Sequence, residues 1–275
     1  MHRLSMRELL LATLAALLAG CQTPPPTSPE AVGELLKGSG YLNGYLNPKQ
    51  LPNSLALLPP PPAADSAQQA ADLDTYKRTR ALRDTPRWAL ATQDANLSFP
   101  AAASTFECAL QIPISRQATP NLNMLLRRTL ADAGFATYAA KDKYKRQRPF
   151  VVAGGATCTP GEEAALAKDG SYPSGHTSVG WAWALVLTQA APQNMDAVLQ
   201  RGYAFGQSRV ICGVHWQSDV DAGRVVGAAA VARLQSDETF KAQLALARDE
   251  IAQAQAKGSK PTIDCAAEAA ALAVR

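Results

Sequence analysis

Histidine is scarce in this chain, with three among 275 residues. His2 falls at the start of an export-like segment, so two imidazoles, His176 and His215, must carry any histidine chemistry of the mature protein. Aromatic residues are also few, at 6%, and charged residues make up 18% against 47% hydrophobic. That balance excludes a wholly disordered, collagen-like or acidic solvating chain and permits a sizeable core rich in alanine and leucine. Residues 21–275 contain no uninterrupted apolar run of about 20 residues, the length a spanning helix needs. CxxC, HExxH and clustered Asp/Glu patterns are missing, so no metal site and no cofactor is called for. Strand signals are scarce and no fixed repeat is evident. Lys plus Arg number 27 against 23 Asp plus Glu, a surplus too small to suggest nucleic-acid binding.

What is present begins with an address. Arg3 and Arg7 precede an apolar run over residues 9–18, long enough for a signal peptide and too short to anchor a chain. Leu18-Ala19-Gly20-Cys21 resembles the bacterial lipobox, which implies cleavage after residue 20 and lipidation of Cys21. The lipid would be the sole membrane attachment. Gln22, which is not aspartate, favours the outer membrane, facing the periplasm or the cell surface; a soluble periplasmic protein is the alternative. Four further cysteines, Cys108, Cys158, Cys212 and Cys265, suggest two disulfides with three connectivities. Cys158 with Cys212 is favoured because both flank the segments that carry chemistry, leaving Cys108 with Cys265.

The chain divides into a Pro-rich tether or wrapping arm (21–64), a helical body (65–257) and a tail (258–275). Helices are expected over residues 65–83 and 86–95. Another has Thr119 as N-cap and Pro120 at its first position. It carries Leu122, Leu125, Leu126, Leu130 and Ala133 on one stripe and stops at Gly134. A basic segment, 135–147, must end near Arg148 because Pro149 disfavours helical geometry before it. Further helices are expected from Ser174 to about 191, over 194–211, after His215 with Val220, Val225, Val226, Ala229 and Ala230 buried, and over 237–256.

Ser174-Gly175-His176 opens a helix, where unpaired N–H groups and the positive dipole end favour an anion such as phosphate. Gly175 removes bulk where an oxyanion would approach, and Ser174 adds a hydroxyl; a plain N-cap would read the same way. His215 and Asp219, four apart, share a helix face. There the carboxylate can hold one ring nitrogen and leave the other with a lone pair, as a nucleophile or base requires. Arg209 offers a planar fork for phosphate, while Ser208 shapes a turn. Lys141 and Arg148, seven apart, would project to one side of a continued helix. Lys143, Lys145 and Arg146 read as a solvated basic face.

Taken together, Lys141 with Arg148-Pro149, then Pro173-Ser174-Gly175-His176, then Ser208-Arg209 with His215 and Asp219, closely resembles the signature of the type 2 phosphatidic acid phosphatase superfamily. The flanking text, Gly170-Ser171-Tyr172 and residues 210–221, is similar to the bacterial class A nonspecific acid phosphatases. The resemblance implies an all-α, single-domain helical bundle with an extended N-terminal arm. It implies a metal-independent acid phosphatase of broad specificity on phosphate monoesters, with phosphotransfer as a side activity. His215 would form a phosphohistidine, Asp219 would orient it, and His176 would act as general acid and base. Lys141, Arg148, Ser174, Gly175 and Arg209 would bind phosphate. Inorganic phosphate or vanadate would inhibit, nucleotides would be bound only as substrates, and a homodimer is the expected assembly. A vanadium-dependent haloperoxidase is the nearest alternative, and a lipid-anchored phosphate-binding or scaffold protein the alternative of another class.

Overall fold

A computed structural model describes residues 23–274 of the chain. The signal segment and Cys21 lie outside the described residues. The fold is all-α, and its principal helices in chain order are α1 (Ala67–Thr79), α2 (Pro86–Asp94), α3 (Pro120–Phe135), α4 (Tyr138–Tyr144) and α5 (Pro149–Ala153). After a Gly-rich loop come α6 (Gly175–Ala190), α7 (Met195–Ile211), α8 (Gln217–Leu234), α9 (Glu238–Ala256) and α10 (Cys265–Ala273).

The long apolar helix α6 becomes the axis of the bundle, packed against α3, α7 and α8. Its Trp183 is fully buried, with Phe99, Phe106 and Phe205 edge-on around it. Trp183 donates its ring N–H to the Leu126 carbonyl of α3 at 2.8 Å, so the indole is both packed and satisfied. Close approach depends on missing side chains. A Cβ on Gly227 would lie 2.4 Å from the Ser178 carbonyl oxygen and one on Gly223 2.6 Å from that of Ser174. Both glycines let α8 press against the start of α6, and that contact brings the Asp219 end of α8 to Ser174, whose N–H donates to the Asp219 carbonyl at 2.9 Å.

The leucine stripe of α3 is buried as its spacing requires, but two local readings fail. Thr119 makes no side-chain cap; its hydroxyl instead accepts the Ser115 N–H and turns toward Pro113. Gly134 does not stop α3, which runs on to Phe135, because the glycine packs beside Val179 and a continuing helix is tolerated there. Residues 135–147 are not one helix. α4 ends at Tyr144, with Lys145 left-handed at φ 43°, and Arg148 is extended. In α8, Val225 is 49% exposed because it faces away from α6 and α3; the buried stripe runs through Val220, Val226 and Ala230.

Both disulfides form, Cys158–Cys212 and Cys108–Cys265. The first ties the loop after α5 to the end of α7, beside His215. The second fastens the segment 258–275, which carries α10, to the body; Glu268 of α10 also pairs with Arg201 at 3.0 Å. The arm lies along α3 and α4. Asp132 accepts the Tyr45 and Leu46 N–H groups at 2.9 and 3.0 Å, and Ser54 is buried between Thr137 and Ala140.

Candidate active site

A cleft of about 340 Å³ opens where the N-terminus of α6, the end of α7 and the start of α8 converge. Lys141, Arg148, Gly175, His176, Arg209 and His215 all line it, although the first and last are 74 positions apart in the chain. Asp219 and Ser174 stand directly behind this wall, fully buried.

The hydrogen bonds assign the two ring tautomers. Asp219 lies 3.3 Å from His215 Nδ1, and a carboxylate can only accept, so Nδ1 carries the proton. The lone pair is therefore on Nε2, where Arg148 Nη1 donates to it at 3.0 Å. His176 is the mirror case. Its Nε2 lies 2.9 Å from the Ala95 carbonyl oxygen, an obligate acceptor, so Nε2 is protonated and Nδ1 is the nitrogen that can exchange a proton.

Asp219 is itself held. Its Oδ2 accepts the Trp216 N–H at 2.8 Å and its Oδ1 the Arg146 guanidinium at 2.6 Å. Arg146 also pairs with Asp72 of α1 at 2.8 Å, and Asp72 takes the Ser218 N–H at 2.9 Å. Arg146 is thus buried and belongs to the site's support, not to a solvated face as its charged run suggests; Lys143 and Lys145 are exposed. Ser208 also departs from expectation. It sits within α7, not in a turn, bonded to Asp94 at 2.6 Å and Arg87 at 3.0 Å.

Lys141 and Arg148 reach the cleft from separate elements, joined by a residue the motif does not include. Asp169 Oδ2 accepts from Arg148 at 2.8 Å and Lys141 at 3.3 Å. Carbonyls of Leu166, Asp169 and Val214 fix the rest of the Arg148 fork. Arg209 is different: all three guanidinium nitrogens are buried and have no hydrogen-bond partner among the described residues. An unpaired buried cation costs several kcal/mol, a cost that a bound anion would relieve.

The Ser174 hydroxyl caps α6, accepting from the Thr177 N–H at 3.3 Å and the Thr177 hydroxyl at 2.9 Å. The capping reading is met, and the hydroxyl keeps its own proton to donate. The cations shape the titrations. Burial, then Arg148, Lys141 and Arg209, holds His215 well below the usual imidazole range. Burial and Arg209 do the same to His176. Burial lowers Lys141 to about 8, reinforced by Arg148 and opposed by Asp169, and burial with Arg148 lowers Arg209 to about 10.

Sequence reasoning missed Arg146, Asp169 and Asp72. Asp169 was visible only as the acid immediately before Gly170-Ser171; its contacts lie more than 20 residues upstream. Nothing local distinguishes Arg146 from the lysines around it.

Comparison with known proteins finds relatives of one kind. The model of the PAP2 superfamily matches residues 123–238, a span containing every residue of the charged cleft named above. A non-specific acid phosphatase of Providencia stuartii is 49% identical over 210 residues, 76% of this chain and 85% of the relative. One from Salmonella typhimurium is 44% identical over 75% of this chain and 83% of its own. An acid phosphatase of Zymomonas mobilis is 40% identical, covering 75% and 78%.

Proposed function

Because the chain belongs to the PAP2 superfamily and, within it, to the class A nonspecific acid phosphatases, we propose that it hydrolyses phosphate monoesters through a phosphohistidine on His215, without a metal. The observation that carries this reading is the unpartnered Arg209 guanidinium beside the His215 lone pair in one cleft.

Nε2 of His215 attacks phosphorus as the ester P–O bond breaks, and the alkoxide or phenoxide leaves with a proton from His176 Nδ1, a proton that the monoanionic substrate brings in and passes to that nitrogen. Asp219 keeps the attacking tautomer and balances the imidazolium formed as the P–N bond appears. Water then loses a proton to the neutral His176 and attacks phosphorus. The P–N bond breaks, and inorganic phosphate leaves. An alcohol in place of water gives transfer to a new ester. Lys141, Arg148, Arg209, the Ser174 hydroxyl and the N–H groups opening α6 hold the phosphoryl oxygens throughout. Three cations supply the positive charge that a metal ion supplies elsewhere. Radiolabelled monoester quenched in denaturant should leave label on the protein that is acid-labile and base-stable, and turnover should persist in EDTA. Label absent at every quench time, or turnover lost to EDTA, contradicts the mechanism. Peroxide- and vanadate-dependent halide oxidation in place of phosphate release would shift the assignment to a haloperoxidase.

An acidic optimum follows, for a reason the motif alone does not supply. A charged His176 in the free enzyme is what the histidine pair suggests, but burial and Arg209 keep it neutral. The proton must then enter on the substrate, whose second phosphate pKa is about 6. So kcat/KM should fall as pH rises above about 6, and more steeply beyond about 8 as Lys141 loses its charge. Bound phosphate adds negative charge beside His176 and raises its pKa, so the alkaline limb of kcat should lie at higher pH than that of kcat/KM. A profile that climbs steadily above about pH 8, past the ordinary imidazole range, overturns the assignment.

A further inference from the structure

The floor of the cleft is cationic, but its mouth is apolar. Leu35, Leu36, Tyr41, Leu97, Phe135 and Tyr138 line the same cavity as the two histidines. Four of these are substantially exposed: Leu36 74%, Phe135 46%, Tyr138 45% and Tyr41 37%. Scattered surface hydrophobics need no explanation, but a group of them around one opening, continuous with a charged floor, marks a binding surface. Phe135 and Tyr138 already stack on each other, ring centres 5.8 Å apart and 28° from parallel, leaving a flat aromatic edge to the opening.

The arm's contribution is built, not draped. Residues 34–42 form a closed loop in which the Glu34 carboxylate accepts from the Gly38 and Gly40 N–H groups. The Leu35 N–H donates to the Tyr41 carbonyl at 2.9 Å, and Arg127 of α3 donates to the Gly40 carbonyl at 3.0 Å. Leu42 is buried beneath it. On this hydrogen-bonded loop Leu36 and Tyr41 remain exposed instead of joining Leu42 in the core.

Tyr41 and Leu97 also share a smaller recess with His176. If His176 delivers the proton to the leaving oxygen, the group carried by that oxygen departs on this side. We propose that the 34–42 loop, with Leu97, Phe135 and Tyr138, is a leaving-group subsite for planar aromatic esters, so aryl and base-bearing phosphates are turned over in preference to small polyol phosphates. This inference rests on the phosphatase reading and on His176 as its general acid.

The test is the ratio of kcat/KM on phenyl phosphate to that on glycerol 2-phosphate, compared between wild type and variant so that intrinsic ester reactivity cancels. Leu36→Ala/Tyr41→Ala should lower the ratio on the order of tenfold, the scale of one lost aromatic and one lost aliphatic contact. Phe135→Ala should lower it in the same direction, in a helix untouched by the first variant. An unchanged ratio in both, with turnover still abolished by His215→Ala, overturns the subsite while leaving the phosphatase reading intact. Turnover surviving His215→Ala overturns the phosphatase reading itself.

Discussion

Replacing His215 with alanine should reduce turnover of a phosphate monoester by at least about 10⁴-fold, the scale seen when a covalent nucleophile is removed. In barrier terms that is roughly 5 kcal/mol. The effect is large because the nucleophile has no understudy. The other imidazole in the cleft, His176, is turned by its Ala95 contact to present Nδ1, and nothing fixes a carboxylate behind it as Asp219 is fixed behind His215. The fold should survive, since the ring lies at the cleft wall and its neighbours are held independently. Trp216 keeps its own bond to the Gln147 carbonyl, and the Cys158–Cys212 bridge pins the adjoining segment. Circular dichroism should therefore match wild type. Exogenous imidazole, entering the space vacated, should restore part of the rate because Arg148 and Arg209 still hold the phosphate. Near-wild-type turnover in the variant, or loss of the helical signal, rejects the role given to His215.

Arg209→Met should have two effects of opposite sign. Activity should fall on the order of 10²- to 10³-fold in kcat/KM, as when one preorganised donor to transition-state charge is deleted. Stability without phosphate should rise, by about 1–3 kcal/mol, because methionine fills a similar volume without the desolvation of a cation that no protein group pairs. Added inorganic phosphate should stabilise wild type far more than the variant, because ligand that binds only the native state raises its stability by mass action. Urea unfolding with and without phosphate measures both. A variant less stable than wild type in phosphate-free buffer would mean the guanidinium is paired within the protein and not reserved for an anion.

Much of this site could be read before any coordinates. His215 and Asp219 do meet, though not on one helix face: α8 begins at Gln217 with Trp216 as N-cap, and Asp219 in its first turn reaches back to His215, while Ser174 caps α6. Each is a short-range relation that local geometry enforces. Lys141 and Arg148 share the cleft, but not for the reason their spacing offers. The seven-residue spacing predicts one helix face, but the helix breaks at Lys145 and the two cations meet only through Asp169. Arg146 was misread because a basic run is ordinarily solvated, and only the distant Asp72 of α1 and Asp219 of α8 make its burial tolerable. The same limit applies to the 34–42 loop, whose Pro- and Gly-bearing surroundings suggest a tether and say nothing of a wall for the cleft.

The linear order of residues alone settled the all-helical class, the buried leucine stripe of α3 and the Ser174 cap that opens α6, and it brought His215 within reach of Asp219. These depend on periodicity, propensity and backbone groups within a turn or two of one another. Tertiary structure alone decided that His176 and His215 share one cleft, that Arg209 stands there with no partner among the described residues, and that residues of the 34–42 loop line its mouth. Those are relations between segments far apart in the chain, set by how closely α8 can approach α6 across Gly223 and Gly227, and no local pattern encodes that distance.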